Sequence, residues 1–128
     1  MRSRIIIAIA TVVLAVGTLV TTFGLRYYFA HRQLSFDRAR WLAASHGYCS
    51  KSERGRMVDD LVHRHLRPGM PLIQVRRLLG PPDVKEDGVW GSWQYEVDQE
   101  EGLLAICVYL ALETHAGRLK HAEVYRDY

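Results

Sequence analysis

The fold is decided by residues 72–97, which read LIQVRRLLGPPDVKEDGVWGSWQYEV. In the first part, apolar residues recur at the spacing of one helix face. That face carries Leu72, Val75, Leu78 and Leu79. Gly80 and Pro81-Pro82 end the predicted helix, because glycine accepts positive φ at a helix C-terminus and proline cannot continue a helix. From Val89 the apolar period becomes two, which indicates a strand over 89–97. The stretch therefore predicts an α+β fold.

A second helical pattern precedes this stretch, and two more strands follow it. Residues 52–66 place five side chains on one helix face, namely Val58, Leu61, Val62, His65 and Leu66. Residues 103–113 and 119–125 alternate like strands, and short connections containing Gly102 and Gly117 join the three strands. The prediction for residues 52–128 is a domain of two helices packed on a three-stranded antiparallel meander, in the order ααβββ.

The N-terminal region predicts a membrane anchor. Residues 5–25, IIIAIATVVLAVGTLVTTFGL, carry no charge and as a helix would span roughly 30 Å, the hydrocarbon thickness of a bilayer. The aromatic residues 27–29 follow where an interfacial belt is expected. A cleaved signal peptide is the alternative, but its apolar region is usually shorter and ends at a small-x-small site, which is missing here. We expect a retained transmembrane anchor over 1–30 and a juxtamembrane connector over 31–51.

The charge distribution argues against a nucleic-acid partner. The formal net charge is +3, and Arg2, Arg4 and Arg26 around the apolar run account for all of it. A nucleic-acid-binding domain is usually basic as a whole, whereas residues 31–128 are neutral. The basic residues concentrate in 31–79, next to the anchor, which favours anionic lipid headgroups as a partner. The short basic N-terminal tail predicts that the domain lies outside the cytoplasm.

No pattern in the sequence indicates catalysis, a cofactor or a bound metal. The six histidines form no H-E-x-x-H motif, and the two cysteines form no paired-cysteine motif. Asp59 and Asp60 diverge on a helix, and no nucleophile elbow or glycine-rich phosphate loop occurs. We therefore expect a protein that is not an enzyme. Cys49 and Cys107 can pair outside the cytoplasm or remain as two free thiols, and the sequence leaves both open.

Four residues are candidates for an interaction surface. Trp90 and Tyr109 lie off the main aliphatic face of the predicted sheet, and exposed aromatic residues are enriched among binding hot spots. Arg76 and Arg77 point away from the buried stripe of the second helix.

The sequence resembles the SmpA/OmlA family of small bacterial envelope proteins. The resemblance is carried by LRPGM at 66–70, QV at 74–75, LLGPPD at 78–83, WQY at 93–95 and GRL at 117–119. It implies an ααβββ domain facing the periplasm that acts in binding or scaffolding, here on a single-pass anchor in the inner membrane. The chain departs from the family where Pro71 replaces a helix-capping Ser or Thr, and in lacking the lipoprotein cysteine.

The expected function is that of a membrane-tethered envelope protein that binds a protein partner or lipid headgroups. The alternative is a small ligand-binding or inhibitory module of the sensor type.

Overall fold

A computed structural model describes residues 2–44, 49–100 and 105–127. The chain forms two compact units, Met1–Arg32 and Gln33–Tyr128, and each is described here by itself. The sequence also predicts a turn at His46-Gly47. That turn, the turn glycine Gly102 and the predicted strand residues 103–104 lie outside the described residues.

The first unit is helix α1, Arg2–His31. Its segment Ile5–Phe29 is long and apolar enough to cross a membrane. Four threonine hydroxyls within it, those of Thr11, Thr18, Thr21 and Thr22, donate hydrogen bonds to carbonyl oxygens one turn earlier. These bonds satisfy the threonine hydroxyls of the segment, as a hydrocarbon environment requires. Length and composition are thus consistent with a single-pass anchor.

The helices of the second unit are short. They are α2 (Arg38–Ala43), α3 (Arg54–Asp60), which continues as a π-helical turn (Leu61–His65), and α4 (Leu72–Leu79). Asp37 caps α2, because its Oδ1 accepts the Arg40 N–H at 2.8 Å. Gly80 ends α4 with a φ of 81°, as the sequence predicts.

The strands form one antiparallel sheet in the order β1-β2-β3-β4, with β1 at Val84–Glu86, β2 at Trp90–Glu100, β3 at Ile106–His115 and β4 at Arg118–Asp127. The predicted α+β meander is confirmed for β2 to β4, but the predicted number of three strands is wrong. The prediction missed β1 because its three residues are all exposed and too few to show alternation. Pairing with β2 creates this strand, and Gly91 permits it, since a Cβ there would stand 2.5 Å from the Glu86 carbonyl oxygen.

The core lies between the helices and one face of the sheet, which we call the inner face. Strands β2 and β3 contribute alternate side chains to it, namely Trp93, Tyr95, Val97, Val108, Leu110 and Leu112. The helices contribute Met57, Val58, Leu61, Val75 and Leu79. The opposite side of the sheet is called the outer face.

The segment predicted as a connector contributes the largest core side chain. Trp41 of α2 is fully buried, and its Nε1 donates a hydrogen bond to the Leu79 carbonyl oxygen at 3.1 Å. The Leu34 N–H donates to the Arg56 carbonyl oxygen at 2.7 Å. The folded unit therefore begins at Gln33, directly after α1.

Candidate interaction surfaces

Trp90 begins β2 on the outer face and is 64% exposed. It pairs with His115 across the β2–β3 ladder, and the two ring centroids are 4.0 Å apart. The Lys120 ammonium lies 4.7 Å from the centroid of the indole ring, within range of a cation–π interaction. Two neighbours thus orient the indole while most of its surface stays accessible to a partner.

Two further exposed apolar residues lie around the β3–β4 turn near Trp90, which the sequence did not reveal. Val89 is 68% exposed and Ile73 of α4 is 61% exposed. The β3–β4 turn joins them, because the Ala116 N–H donates to the Val89 carbonyl oxygen and the Leu72 N–H donates to the Gly117 carbonyl oxygen. We call Ile73, Val89 and Trp90 the apolar tip. The sequence signal was Ile73, an aliphatic residue off the buried stripe of its helix.

The structure does not bring Tyr109 to Trp90. Tyr109 pairs with Glu96 on β2, six ladder positions from Trp90, which corresponds to roughly 20 Å. Its ring stacks on Tyr125 of β4 with centroids 5.4 Å apart, and the Tyr125 hydroxyl donates to Gln94 Oε1 at 3.1 Å. Burial raises the pKa of Tyr125. This half-buried pair packs across the strands of the outer face.

Arg76 and Arg77 lie on the exposed side of α4, as predicted. The Arg38 Nε donates a hydrogen bond to the Arg77 carbonyl oxygen at 2.7 Å, which places a third basic residue beside them. These arginines belong to a different element from both Trp90 and Tyr109. The four candidate residues therefore fall at three places on the second unit.

Arg54 is a buried cation, at 2% exposure, and no sequence pattern singled it out. Its guanidinium lies 4.9 Å from the centroid of the Trp41 ring and donates from Nε to the Trp41 carbonyl oxygen at 3.0 Å. Burial lowers the pKa of Arg54, and the Asp83 carboxylate, 3.9 Å away, opposes that shift. These contacts join α2 and α3 to the start of β1, so the role of Arg54 is structural.

Cys49 and Cys107 form a disulfide, with their Cα atoms 5.0 Å apart. This resolves the alternative that the sequence left open. Cys107 lies on β3, and Cys49 lies beyond α2, so the bond joins the α2 region to a central strand across 58 positions of sequence. The sequence could supply both cysteines but not the proximity, which the packing of α2 creates.

Histidine and carboxylate side chains meet in pairs. His63 lies 3.3 Å from Asp59, and His65 lies 3.5 Å from Asp60. Among the residues that the structure describes, no three histidine, cysteine, aspartate or glutamate side chains are grouped to hold a metal ion.

Comparison of the chain with protein-family models, with curated proteins and with solved structures gives no match, so the SmpA/OmlA resemblance stays a prediction from the sequence.

Proposed function

We propose that this chain is a non-catalytic interaction protein of the bacterial envelope, anchored in the inner membrane by α1. Its second unit faces the periplasm and binds a protein partner. The observation that carries the proposal is the apolar tip, where three large side chains are each more than half exposed. Exposed aromatic and aliphatic clusters on small domains are typical of binding sites.

The disulfide supports the extracytoplasmic location. Disulfides between structural cysteines persist in the periplasm and are rare in the reducing cytosol. Because Cys49, Cys107 and the apolar tip all belong to the second unit, they lie in the same compartment. Thiol-reactive labelling of intact cells without reductant should leave both cysteines unmodified. Labelling of both would refute the proposed compartment.

Within the second unit, the tip lies far from residue 33, where this unit begins. The second unit begins at Gln33, and the N–H of the next residue, Leu34, donates a hydrogen bond to the Arg56 carbonyl oxygen. Gly55, the neighbour of Arg56, lies against the side chain of Asp98, close to the Glu100 end of β2. The tip lies at the other end of β2, an 11-residue strand that spans roughly 35 Å. Chain entry and tip are therefore at opposite ends of the unit.

Site-specific photo-crosslinking in cells tests the proposal. A photoreactive residue at position 90 should capture a discrete protein, whereas the same residue at position 84 on β1 should not. Val84 is the matched control, because it is an exposed apolar residue away from the tip, at 47% exposure. Trp90→Ala should abolish co-purification of the captured protein and Val84→Ala should preserve it. Equal capture at both positions would contradict the proposal.

Anionic lipid headgroups are a second candidate partner, favoured by Arg76 and Arg77 beside Arg38. The full-length chain with Arg76→Glu and Arg77→Glu should then bind vesicles containing anionic lipid more weakly, and added salt should weaken binding of the parent chain. If neither the charge reversals nor added salt weakens binding to the vesicles, a role in binding anionic lipid is excluded. A small molecule that co-purifies with the chain in place of a protein would favour the ligand-binding or inhibitory alternative.

A further inference from the structure

The outer edge of β4 is open over most of its length. β4 is the last strand of the sheet, and only its start is covered, where the Leu119 N–H donates to the Met70 carbonyl oxygen at 2.8 Å and its own carbonyl accepts the Gly69 N–H at 2.7 Å. Between Lys120 and Tyr125, no backbone group of the described chain pairs with this edge. Pro71 also forms an isolated antiparallel bridge with Arg118, so the start of this edge already pairs with another segment of the chain.

A groove runs between this edge and the helix formed by α3 and its π-helical turn. It contains two cavities that share Val62 as a wall. The smaller, about 190 Å³, is mostly apolar and lies beside Leu66, Leu119 and Ala122. The larger, about 410 Å³, lies beside Val124 and Arg126 further along β4. We call this feature the β4 groove.

The pleat of β4 directs alternate side chains toward the groove. Ala122, Val124 and Arg126 pair with Leu112, Leu110 and Val108, which are inner-face residues of β3. Val124 is 38% exposed although it lies on the inner face, so the core is uncovered at this edge. A strand added alongside β4 would place every second side chain in the groove. Two side chains of the added strand would reach the two cavities if they are two or four positions apart in its sequence.

The larger cavity combines an apolar floor with an excess of negative charge. Val58, Val62, Val108 and Val124 line its floor. Three carboxylates, those of Asp59, Asp98 and Glu100, face the single guanidinium of Arg126. Glu100 Oε1 lies 2.7 Å from Arg126 Nε, and Asp59 is 3.3 Å from His63, which leaves the cavity net negative. A lysine or arginine side chain fits this site, because its aliphatic stem packs on valine while its charge meets carboxylate.

We propose that the β4 groove binds an extended segment of a partner protein by strand addition, with an aliphatic side chain in the smaller cavity and a lysine or arginine in the larger one. Backbone pairing at an open edge supplies affinity in this mode, and the alternate side-chain cavities supply specificity. The inference rests on the proposed function only in treating the chain as an interaction protein, since the groove and the apolar tip share no residue.

The test uses the full-length chain in detergent micelles and fluorescein-labelled polythreonine peptides of about nine residues, a length that matches a typical strand. One peptide carries leucine and lysine two positions apart, and another carries them four positions apart. In one set of comparison peptides, glutamate replaces lysine. In another set, N-methylation of the peptide backbone removes the N–H donors. Fluorescence anisotropy should show that a Leu/Lys peptide binds at least about tenfold more tightly than its Leu/Glu counterpart. N-methylation should abolish binding.

Charge reversal within the groove provides the decisive variant. Asp59→Lys with Glu100→Lys should weaken Leu/Lys binding by about tenfold or more and favour the Leu/Glu peptide. The matched control, Glu86→Lys with Glu113→Lys, makes the same charge change on β1 and on the outer face of β3 and should leave binding unchanged. Circular dichroism establishes that both variants are folded.

The inference is overturned if neither Leu/Lys peptide binds at about 1 mM. It is also overturned if the lysine and glutamate peptides bind equally, if the control pair weakens binding as much as the groove pair, or if the edge pairs with a second copy of the chain in sedimentation experiments. Trp90→Ala should not alter peptide binding. A negative result for the β4 groove can therefore be distinguished from a negative result for the apolar tip.

Discussion

Loss of the Cys49–Cys107 bond should remove a large part of the stability of the second unit. The bond closes a loop with a sequence separation of 58. A cross-link of that span lowers the entropy of the unfolded chain by an amount worth about 4 kcal/mol at 25 °C. For a domain of this size, such a loss lowers the midpoint of thermal unfolding by roughly 20 °C. We expect this decrease for Cys49→Ser combined with Cys107→Ser.

Near-ultraviolet circular dichroism of the full-length chain in detergent would follow the unfolding, because the buried Trp41 and Trp93 report on core packing. Each single variant should unfold at nearly the same temperature as the double variant, since one bond is lost in all three. A reductant should lower the midpoint of the parent chain to that of the double variant and leave the double variant unaffected. A double variant within about 1 kcal/mol of the parent would refute the loop-entropy reasoning.

Three further predictions concern the core, the acid stability and the anchor. Trp41→Ala should cost about 3–5 kcal/mol in urea unfolding, whereas Trp41→Phe, which keeps most of the buried volume, should cost clearly less; equal costs would contradict the packing role of the indole. A hydrogen bond from the Phe36 N–H lowers the pKa of Asp60 below its ordinary value of 3.8. The ionised carboxylate therefore stabilises the folded state at pH values above 3.8, and this stabilisation is lost as the pH falls through the lower pKa of the folded state. Asp60→Asn should therefore flatten the decline in urea midpoint below about pH 4, and an unchanged decline would exclude the effect. Full-length protein should resist extraction by carbonate, and an intact mass that lacks residues 1–30 would show that α1 is cleaved.

The elements that depend on local periodicity were predictable from the sequence. Helix α4 ends at Leu79 with Gly80 as its C-cap, and strands β2 and β4 lie where the alternation placed them, within a few residues. The elements that were missed depend on distant partners. β1 exists because it pairs with β2, and α2 is fixed by contacts of Trp41 with Leu79 and Arg54. Neither segment is long enough to show a period of its own.

The candidate surfaces follow the same division. The position of Trp90 on the outer face was predictable, because its parity is opposite to that of the buried Trp93 and Tyr95. Its separation from Tyr109 depends on the β2–β3 register, which the sequence does not fix in detail. The apolar tip and the β4 groove each combine residues from distant segments, and such a combination becomes visible only after the chain has folded.

The order of α2 and the disulfide along the chain has a mechanical consequence. Tension applied through α1 enters the second unit at Gln33. It first loads the hydrogen bond between Leu34 and Arg56, and then the contacts that hold Trp41 in the core. If that segment peels away, the chain lengthens by about 50 Å before the tension reaches Cys49. There the covalent bond transfers the load to β3, a central strand held by ladders on both sides. The disulfide therefore limits how far the segment between Gln33 and Cys49 can extend before β3 bears the load.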